Sequence, residues 1–200
     1  VVVISYATFQ TSDTVSAANG GTFAGNVEHT GTLTASGDLN AGTIKDATGT
    51  NTAITIDSSG RVLLPKVPAF HCKKDSGQTT TANNERVTWD TVFLNQGNHF
   101  SNSIFTAPVA GVYFFSCQWL RGSDTAQTDL YLRKNADNST FLNRSRNAAS
   151  AAYETTTLNW VGELAANDTV DVVIDVSGNT IYGESGDGGT WTTFMGYLIG

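Results

Sequence analysis

The aromatic residues are distributed very unevenly along this 200-residue chain. Of its 4 Trp, 6 Tyr and 10 Phe, only Tyr6, Phe9 and Phe23 precede residue 65. A stable core needs large apolar side chains, because each one that is buried contributes only about 1.5–3 kcal/mol against the entropy lost when the backbone is ordered. Residues 65–200 can therefore build a core of their own, whereas residues 1–64 cannot do so as an isolated chain. This contrast predicts two domains that meet at Pro65.

Residues 1–64 nevertheless carry a regular pattern of apolar residues. Val27, Leu33, Leu39 and Ile44 follow one another at intervals of six, six and five residues, within GNV, GTL, GDL and GTI. The pattern indicates short β-segments that each end in a turn. One such segment buries little alone, so we expect several identical chains to wind around a shared axis as a cyclic homo-oligomer. A flexible Gly- and Thr-rich linker is the alternative.

The residue types favour strands over helices throughout the chain. Thr, Val, Ile and aromatic residues occur in short runs that are separated by Gly, Asn, Asp and Ser. The only Ala-rich stretch, residues 147–153, is too short to form a helix on its own. We therefore predict an all-β chain.

Charge and hydropathy argue against two classes of partner. The chain has 11 Lys and Arg against 18 Asp and Glu, a formal net charge of −7, whereas nucleic acids and anionic lipids both select basic surfaces. No run approaches the roughly 18 apolar residues that a membrane-spanning helix needs. The opening VVVISYATFQ lacks the basic start of a secretion signal. We expect neither nucleic-acid binding nor membrane insertion.

The sequence contains no recognisable catalytic or metal-binding motif. His29, His71 and His99 lie in three separate segments, without the spacing that gathers a metal ion. The Gly-rich residues 183–189 neither follow a strand nor open a helix, as a phosphate-binding loop would. The GxSxG motif of serine hydrolases is absent. We therefore expect a protein without catalytic residues, metal or cofactor.

The segment from Trp89 to Cys117 reads WDTVFLNQGNHFSNSIFTAPVAGVYFFSC. It resembles the signature of the globular head of the complement C1q family, a jelly roll shared with the tumour-necrosis-factor fold. The segment departs from the family pattern because Trp89 replaces Phe, the spacing from Phe100 to Phe105 is two residues short, and Cys117 replaces an aromatic residue. The matching positions are Trp89, Asn95, Phe100, Phe105, Gly111, Tyr113 and Phe115.

Later segments also look like strands of that family, so the resemblance extends over residues 65–200. These segments are LYLRKN, LAANDTVDV and TFMGYLIG. The resemblance implies a jelly-roll sandwich that assembles as a trimer around a threefold axis. A homotrimer agrees with the shared axis expected for the N-terminal residues.

The resemblance has a consequence for the two cysteines. In the family's inner sheet, the last strand lies between the strands that would carry Cys72 and Cys117. Two strand spacings separate such residues by about 9.6 Å, which exceeds the Cα–Cα limit of roughly 7 Å for a disulfide. We therefore expect two free, buried thiols.

The same resemblance predicts where a receptor binds. Loops alternate between the two ends of an antiparallel jelly roll, and the stem that enters at Pro65 marks one end as the base. The apex should collect residues 120–127, 147–153 and 177–189, and the turns 135–139 and 165–168 should lie at the base. Packing of Tyr182 and Trp191 into the sandwich end is the alternative. The predicted receptor-binding residues are Arg121, Asp124, Tyr153, Tyr182, Glu184, Asp187 and Trp191.

A thin threefold stem followed by a compact head looks like a viral fibre, above all a tail or head fibre of a bacteriophage. We expect a non-enzymatic, homotrimeric virion protein whose N-terminal segment contacts other virion proteins. Its head would bind a host-surface glycan or protein, with avidity raised by three copies. Two other functions stay open: a structural capsid-decoration or collar component without a receptor, and a free extracellular C1q-like binding protein.

Overall fold

The computed structural model describes residues 30, 32, 41–46, 48–122, 127–148, 152–184 and 190–200. The chain divides into two units between Asn40 and Ala41. Val27, Leu33 and Leu39 of the predicted stem repeat lie outside the described residues. The stem and its boundary at Pro65 therefore stay predictions.

Every regular element in the described part of the chain is a β-strand, which confirms the predicted all-β class. Asn supports several of the turns between strands: Asn98 and Asn135 adopt positive φ angles of 61° and 54°, a conformation that Asn tolerates better than most residues. The strands are β1 (Thr43–Lys45), β2 (Thr52–Ile56), β3 (Val62–Leu63), β4 (Ala69–Lys73), β5 (Gln78–Thr79), β6 (Glu85–Arg86), β7 (Thr91–Gln96), β8 (Phe100–Ser101), β9 (Ile104–Thr106), β10 (Gly111–Leu120), β11 (Thr128–Lys134), β12 (Phe141–Asn147), β13 (Thr155–Leu164), β14 (Thr169–Ile174), β15 (Thr180–Ile181) and β16 (Thr193–Leu198).

One side of the head is a five-stranded antiparallel sheet in the order β13–β10–β16–β4–β7. The long strand β10 pairs with β13 over its whole length and with β16 on its other edge. Its side chains alternate, so that Tyr113, Phe115 and Cys117 are fully buried while Phe114 faces outward and is half-buried. The dense apolar run of β10 therefore contributes side chains both to the core and to the outer side of the sheet.

The opposite side is an antiparallel sheet in the order β12–β11–β14–β9–β8, with β6 also paired to β14. Aromatic rings join it to the first sheet: the ring of Phe70 on β4 lies 4.5 Å from that of Phe100 and 5.2 Å from that of Phe105. The remaining strands form two small sheets, β1–β2–β3 and β5–β15. The aromatic residues that follow Pro65 thus build the core of a two-sheet sandwich, as their distribution predicted.

Strand β14 carries a covered carboxylate. Asp171 faces away from the sandwich core, as the alternation of β14 suggests, yet only 2% of the residue is exposed. The Nη2 of Arg133 and the Nε of Arg86 each lie 2.6 Å from its Oδ2. Two arginines therefore bury a side chain that an outer strand would otherwise present to solvent.

Strand directions give the head two ends. Strand β4 begins at Ala69, just after Pro65, and the neighbouring β16 runs back to the same end, where Leu198 N donates to Pro68 O (3.1 Å). This end is the base. The turn 165–168 follows the base end of β13, and Asn135 Nδ2 from the other predicted turn donates to Asp168 Oδ1 (2.8 Å). Both predicted base turns therefore lie at the base.

The strand order separates the two cysteines. Phe194 on β16 is the register partner of Cys117 on β10 and of Cys72 on β4. This register confirms the strand order expected from the resemblance. Both thiols are free and buried, as predicted. Burial raises the pKa of each thiol well above its ordinary value, so both stay protonated at neutral pH.

Candidate functional site

Three backbone segments meet at the apex, the end of the head opposite the base. Strand β10 ends there at Leu120, whose carbonyl accepts a hydrogen bond from Tyr182 N (2.9 Å). One residue further, Arg121 N donates to Glu154 O (3.0 Å). Parts of all three predicted apex segments therefore meet, because Gly122 O also accepts from Tyr153 N (3.3 Å): they are residues 120–122, Tyr153 and residues 180–182.

Two glycines allow this close approach. Gly122 N donates to Thr180 O (2.8 Å), and a Cβ atom on Gly122 would lie only 2.6 Å from Thr180 Cγ2. A Cβ atom on Gly183 would lie 2.3 Å from the carbonyl oxygen of Ser76. A larger residue at Gly122 would force residues 120–122 away from Thr180, and one at Gly183 would force that residue away from Ser76, so both close approaches need glycine.

The converging segments form an open cleft of about 370 Å³, which we call the apex cleft. This volume falls within the range of about 300–1,000 Å³ that is usual for small-molecule sites. Four of the seven predicted receptor-binding residues line it. The lining residues are Leu120, Tyr153, Thr155, Tyr182, Glu184 and Trp191.

Flat rings and one carboxylate dominate the apex cleft. The rings of Tyr153 and Tyr182 are nearly perpendicular, with centroids 5.6 Å apart. Trp191 Nε1 donates to Glu184 Oε2 (3.0 Å), which fixes the indole beside the carboxylate. Tyr153 is 56% and Trp191 48% exposed. These exposed rings can stack on a ligand while the carboxylate accepts hydrogen bonds from it.

Arg121 does not have the role that the sequence predicted for it. The residue is fully buried, and its Nη2 lies 3.2 Å from Glu154 Oε2. A buried guanidinium cannot touch a receptor. Arg121 instead supports the apex, because its ion pair ties the end of β10 to the segment that carries Tyr153.

The remaining predicted residues, Asp124 and Asp187, lie outside the described residues. Sequence reasoning did not single out Leu120 and Thr155, which also line the apex cleft. Leu120 ends β10 and Thr155 begins β13, where the two are register partners. Only that pairing places them in the cleft, and a single sequence does not reveal it.

A second groove, of about 480 Å³, lies at the base. Its lining is mainly apolar and includes Val67, Pro68, Val109 and Leu198, together with Asn51 and Thr52 from the segment before the head. Because it adjoins the point where the chain enters, we assign it to the connection between the head and the preceding residues.

The outer side of the five-stranded sheet is unusually apolar. Phe114 is the register partner of both Val161 and Tyr197, so one row of apolar side chains crosses three strands. A second row continues from Met195 through His71 to Leu94. Burial lowers the pKa of His71, which favours its neutral form. We call this surface the apolar face: Phe93, Leu94, Phe114, Val161, Met195 and Tyr197.

Two general features complete the description of the site. Among the described residues, no three His, Cys, Asp or Glu side chains are grouped so that they could hold a metal ion. The described part of the chain also contains no helix that is long and apolar enough to cross a membrane.

Comparison with solved structures identifies the fold. The globular domain of zebrafish complement 1qA matches with a TM-score of 0.51 at 18% identity, over 66% of this chain and 98% of that chain. Murine APRIL matches with a TM-score of 0.52 at 17% identity, over 67% of this chain and 100% of that chain. At these identities the likeness shows the fold alone, a jelly-roll sandwich of the C1q and tumour-necrosis-factor type.

Sequence comparison identifies the family. No curated protein sequence matches this chain. The family model of the C1q domain, however, matches residues 69–199, which is more than half of the chain and coincides with the two-sheet sandwich. The chain therefore belongs to the C1q domain family.

Proposed function

We propose that this protein is a homotrimeric fibre protein of a virus particle, that of a bacteriophage above all, and that its head binds a receptor on the host surface without catalysis. The N-terminal residues attach it to other virion proteins, and the receptor is a surface carbohydrate. The observation that carries the proposal is the apex cleft. It lies at the end of the head farthest from the entering chain, where an attachment protein must present its binding site.

The apolar face supports the trimer. A contiguous exposed apolar surface is costly on a monomer and is typical of protein–protein contacts. Association around a threefold axis buries Val161 and Tyr197 against neighbouring copies. It also points three apex clefts in the same direction, away from the three entering chains. Simultaneous binding by three clefts then raises the avidity for a surface that displays many copies of the receptor.

The residues of the apex cleft suit a carbohydrate. Sugar rings have apolar faces that stack on aromatic side chains, and hydroxyl groups that need acceptors. Tyr153 and Trp191 offer exposed rings, and Glu184 offers a carboxylate beside them. The described lining contains no Lys or Arg that could compete for that carboxylate, and the neighbouring Arg121 pairs with Glu154.

Attachment of the purified protein to host cells tests the proposal. Thr155→Trp fills the apex cleft, whereas Ala166→Trp adds the same bulk to an exposed base turn. We expect Thr155→Trp and Trp191→Ala each to weaken attachment at least tenfold and Ala166→Trp to leave it unchanged. Light scattering shows whether each variant keeps the assembly of the unmodified protein. Attachment that survives both cleft variants would contradict the proposed binding site.

The position of the protein in an intact particle tests the virion assignment. Labelling with antibodies against the head should place it at the outer end of a fibre, far from the particle body. Label that lies flat on the capsid would favour the decoration role instead. Particles without any label would contradict a virion role.

A further inference from the structure

The apex cleft combines three aromatic rings with one carboxylate, and a neutral sugar uses only part of this arrangement. We propose that the cleft binds an organic ammonium group that the receptor carries, such as the choline or amino substituent of a decorated glycan. The inference rests on the proposed receptor-binding function and names the chemical group that the cleft selects.

The aromatic residues supply the first argument. The rings of Tyr153, Tyr182 and Trp191 all line the cleft. The face of an aromatic ring carries partial negative charge and attracts a cation, most strongly for Trp, and quaternary ammonium groups are commonly bound by several rings together. The rings of Tyr153 and Tyr182 stand nearly perpendicular, with centroids 5.6 Å apart, so the aromatic lining is not confined to one plane.

The charge of the lining supplies the second argument. Glu184 is exposed, and it is the only Asp, Glu, Lys, Arg or His among the described lining residues. Its Oε2 accepts from Trp191 Nε1, which places the negative charge directly beside the largest ring. The cleft therefore complements a positive ligand and repels carboxylated or sulfated sugars.

The surrounding cations are engaged elsewhere. The fully buried Arg121 pairs with Glu154. Lys73 Nζ lies 2.7 Å from Asp75 Oδ1, and the buried Lys74 donates to Thr88 O (2.8 Å). The negative charge of the cleft is thus not neutralised by the basic side chains described at this end of the head.

Calorimetric titration of the trimer with choline tests the inference. The control ligand is 3,3-dimethylbutan-1-ol, which has the shape of choline but no charge. We expect choline to bind at least tenfold more tightly than the alcohol. Glu184→Gln keeps an acceptor for the indole but removes the charge, so it should weaken choline binding about tenfold and leave the alcohol unaffected. Glu163→Gln, at the base end of β13, removes the same charge far from the cleft and should change neither ligand.

A second pair of ligands identifies the source of the ammonium group. Glucosamine carries a free amine, and N-acetylglucosamine is its neutral counterpart. Binding of choline alone indicates a quaternary group, and binding of glucosamine over N-acetylglucosamine indicates an amino sugar. Either result supports the inference.

Several outcomes would overturn it. An ammonium site is excluded if choline binds no more tightly than the alcohol and glucosamine no more tightly than N-acetylglucosamine, or if neither ammonium ligand binds. The cell-attachment comparison of Thr155→Trp with Ala166→Trp separates this failure from failure of the proposed function. If attachment needs an open cleft while no ammonium ligand binds, only the ligand class is wrong.

Discussion

The order of the strands determines the surroundings of two core residues, Cys72 and Cys117. Each is the register partner of Phe194, and Cys72 Sγ donates to Phe194 O (3.3 Å). The thiols occupy the positions of small apolar groups within an aromatic core. Their burial makes them unreactive rather than catalytic, because a thiol reacts as its thiolate.

Thiol titration checks this arrangement. We expect two free thiols per chain after denaturation without a reductant, and very slow reaction of both in the native protein, since burial raises their pKa. A denatured chain with no reactive thiol would show a disulfide and contradict the observed strand order.

The buried carboxylate of Asp171 gives a second prediction at this scale. Arg133 binds both of its oxygens, at 3.0 Å and 2.6 Å, and Arg86 binds one of them. Asp171→Asn leaves these arginines without a counter-charge, so we expect the free energy of unfolding to fall by about 3–5 kcal/mol. Urea denaturation measures the change. Asp57→Asn, which breaks the ion pair with the exposed Arg61, serves as the control and should have a far smaller effect. Equal losses would contradict a stabilising role for the network.

At the scale of strands, the position of a residue can be predicted from the sequence where a single physical factor, such as strand order, decides it. The separation of the two cysteines, for example, follows once β16 lies between β4 and β10. Arg121 was the exception. Its position at the end of β10 suggested an exposed loop residue, but it is buried and pairs with Glu154, which is distant in sequence. Contacts of this kind are set by the tertiary fold and leave no local pattern in the chain.

Substitution of Gly196 on β16 tests how tightly neighbouring strands pack. A Cβ atom there would lie 2.3 Å from Phe115 Cδ1 and 2.8 Å from Phe70 Cε1, both of which belong to buried rings. Gly196→Ala should therefore overpack the core and destabilise the head by about 1–3 kcal/mol.

The temperature of thermal unfolding, compared between Gly196→Ala and the control Gly42→Ala, measures this destabilisation. An added Cβ atom at Gly42 meets no atom within 4 Å, so this control should unfold at the temperature of the unmodified protein. A Gly196→Ala variant as stable as the Gly42→Ala control would show that the aromatic core tolerates expansion.

At the scale of the whole molecule, we assign the apolar face to contacts between copies and the apex cleft to receptor binding. The face covers the outer side of the five-stranded sheet, and the cleft lies at the apex end of β10 and β13, where Leu120 and Thr155 are register partners on the strands that also carry Phe114 and Val161. The sequence indicated a shared axis through its repeats and its uneven aromatic content. The face itself becomes visible only when the strand register places Phe114, Val161 and Tyr197 in one row.

A charge within that row should prevent assembly. Val161 is 58% exposed in the single chain, and Val161→Asp would bury a carboxylate without a partner at the contact between copies. We expect this variant to be folded by circular dichroism but to dissociate. Val176→Asp changes another exposed valine that is not part of the apolar face, and it should keep the assembly intact. If both variants assemble equally well, the face is not the contact surface.

The mass of the intact protein in solution tests the central claim most directly. Light scattering coupled to gel filtration measures it without assumptions about shape. A homotrimer predicts three times the chain mass of 21.2 kDa, and the value should stay constant over a wide range of concentration. A folded, monodisperse species of 21.2 kDa would contradict the proposed assembly and, with it, the account of the head as one third of a trimeric attachment fibre.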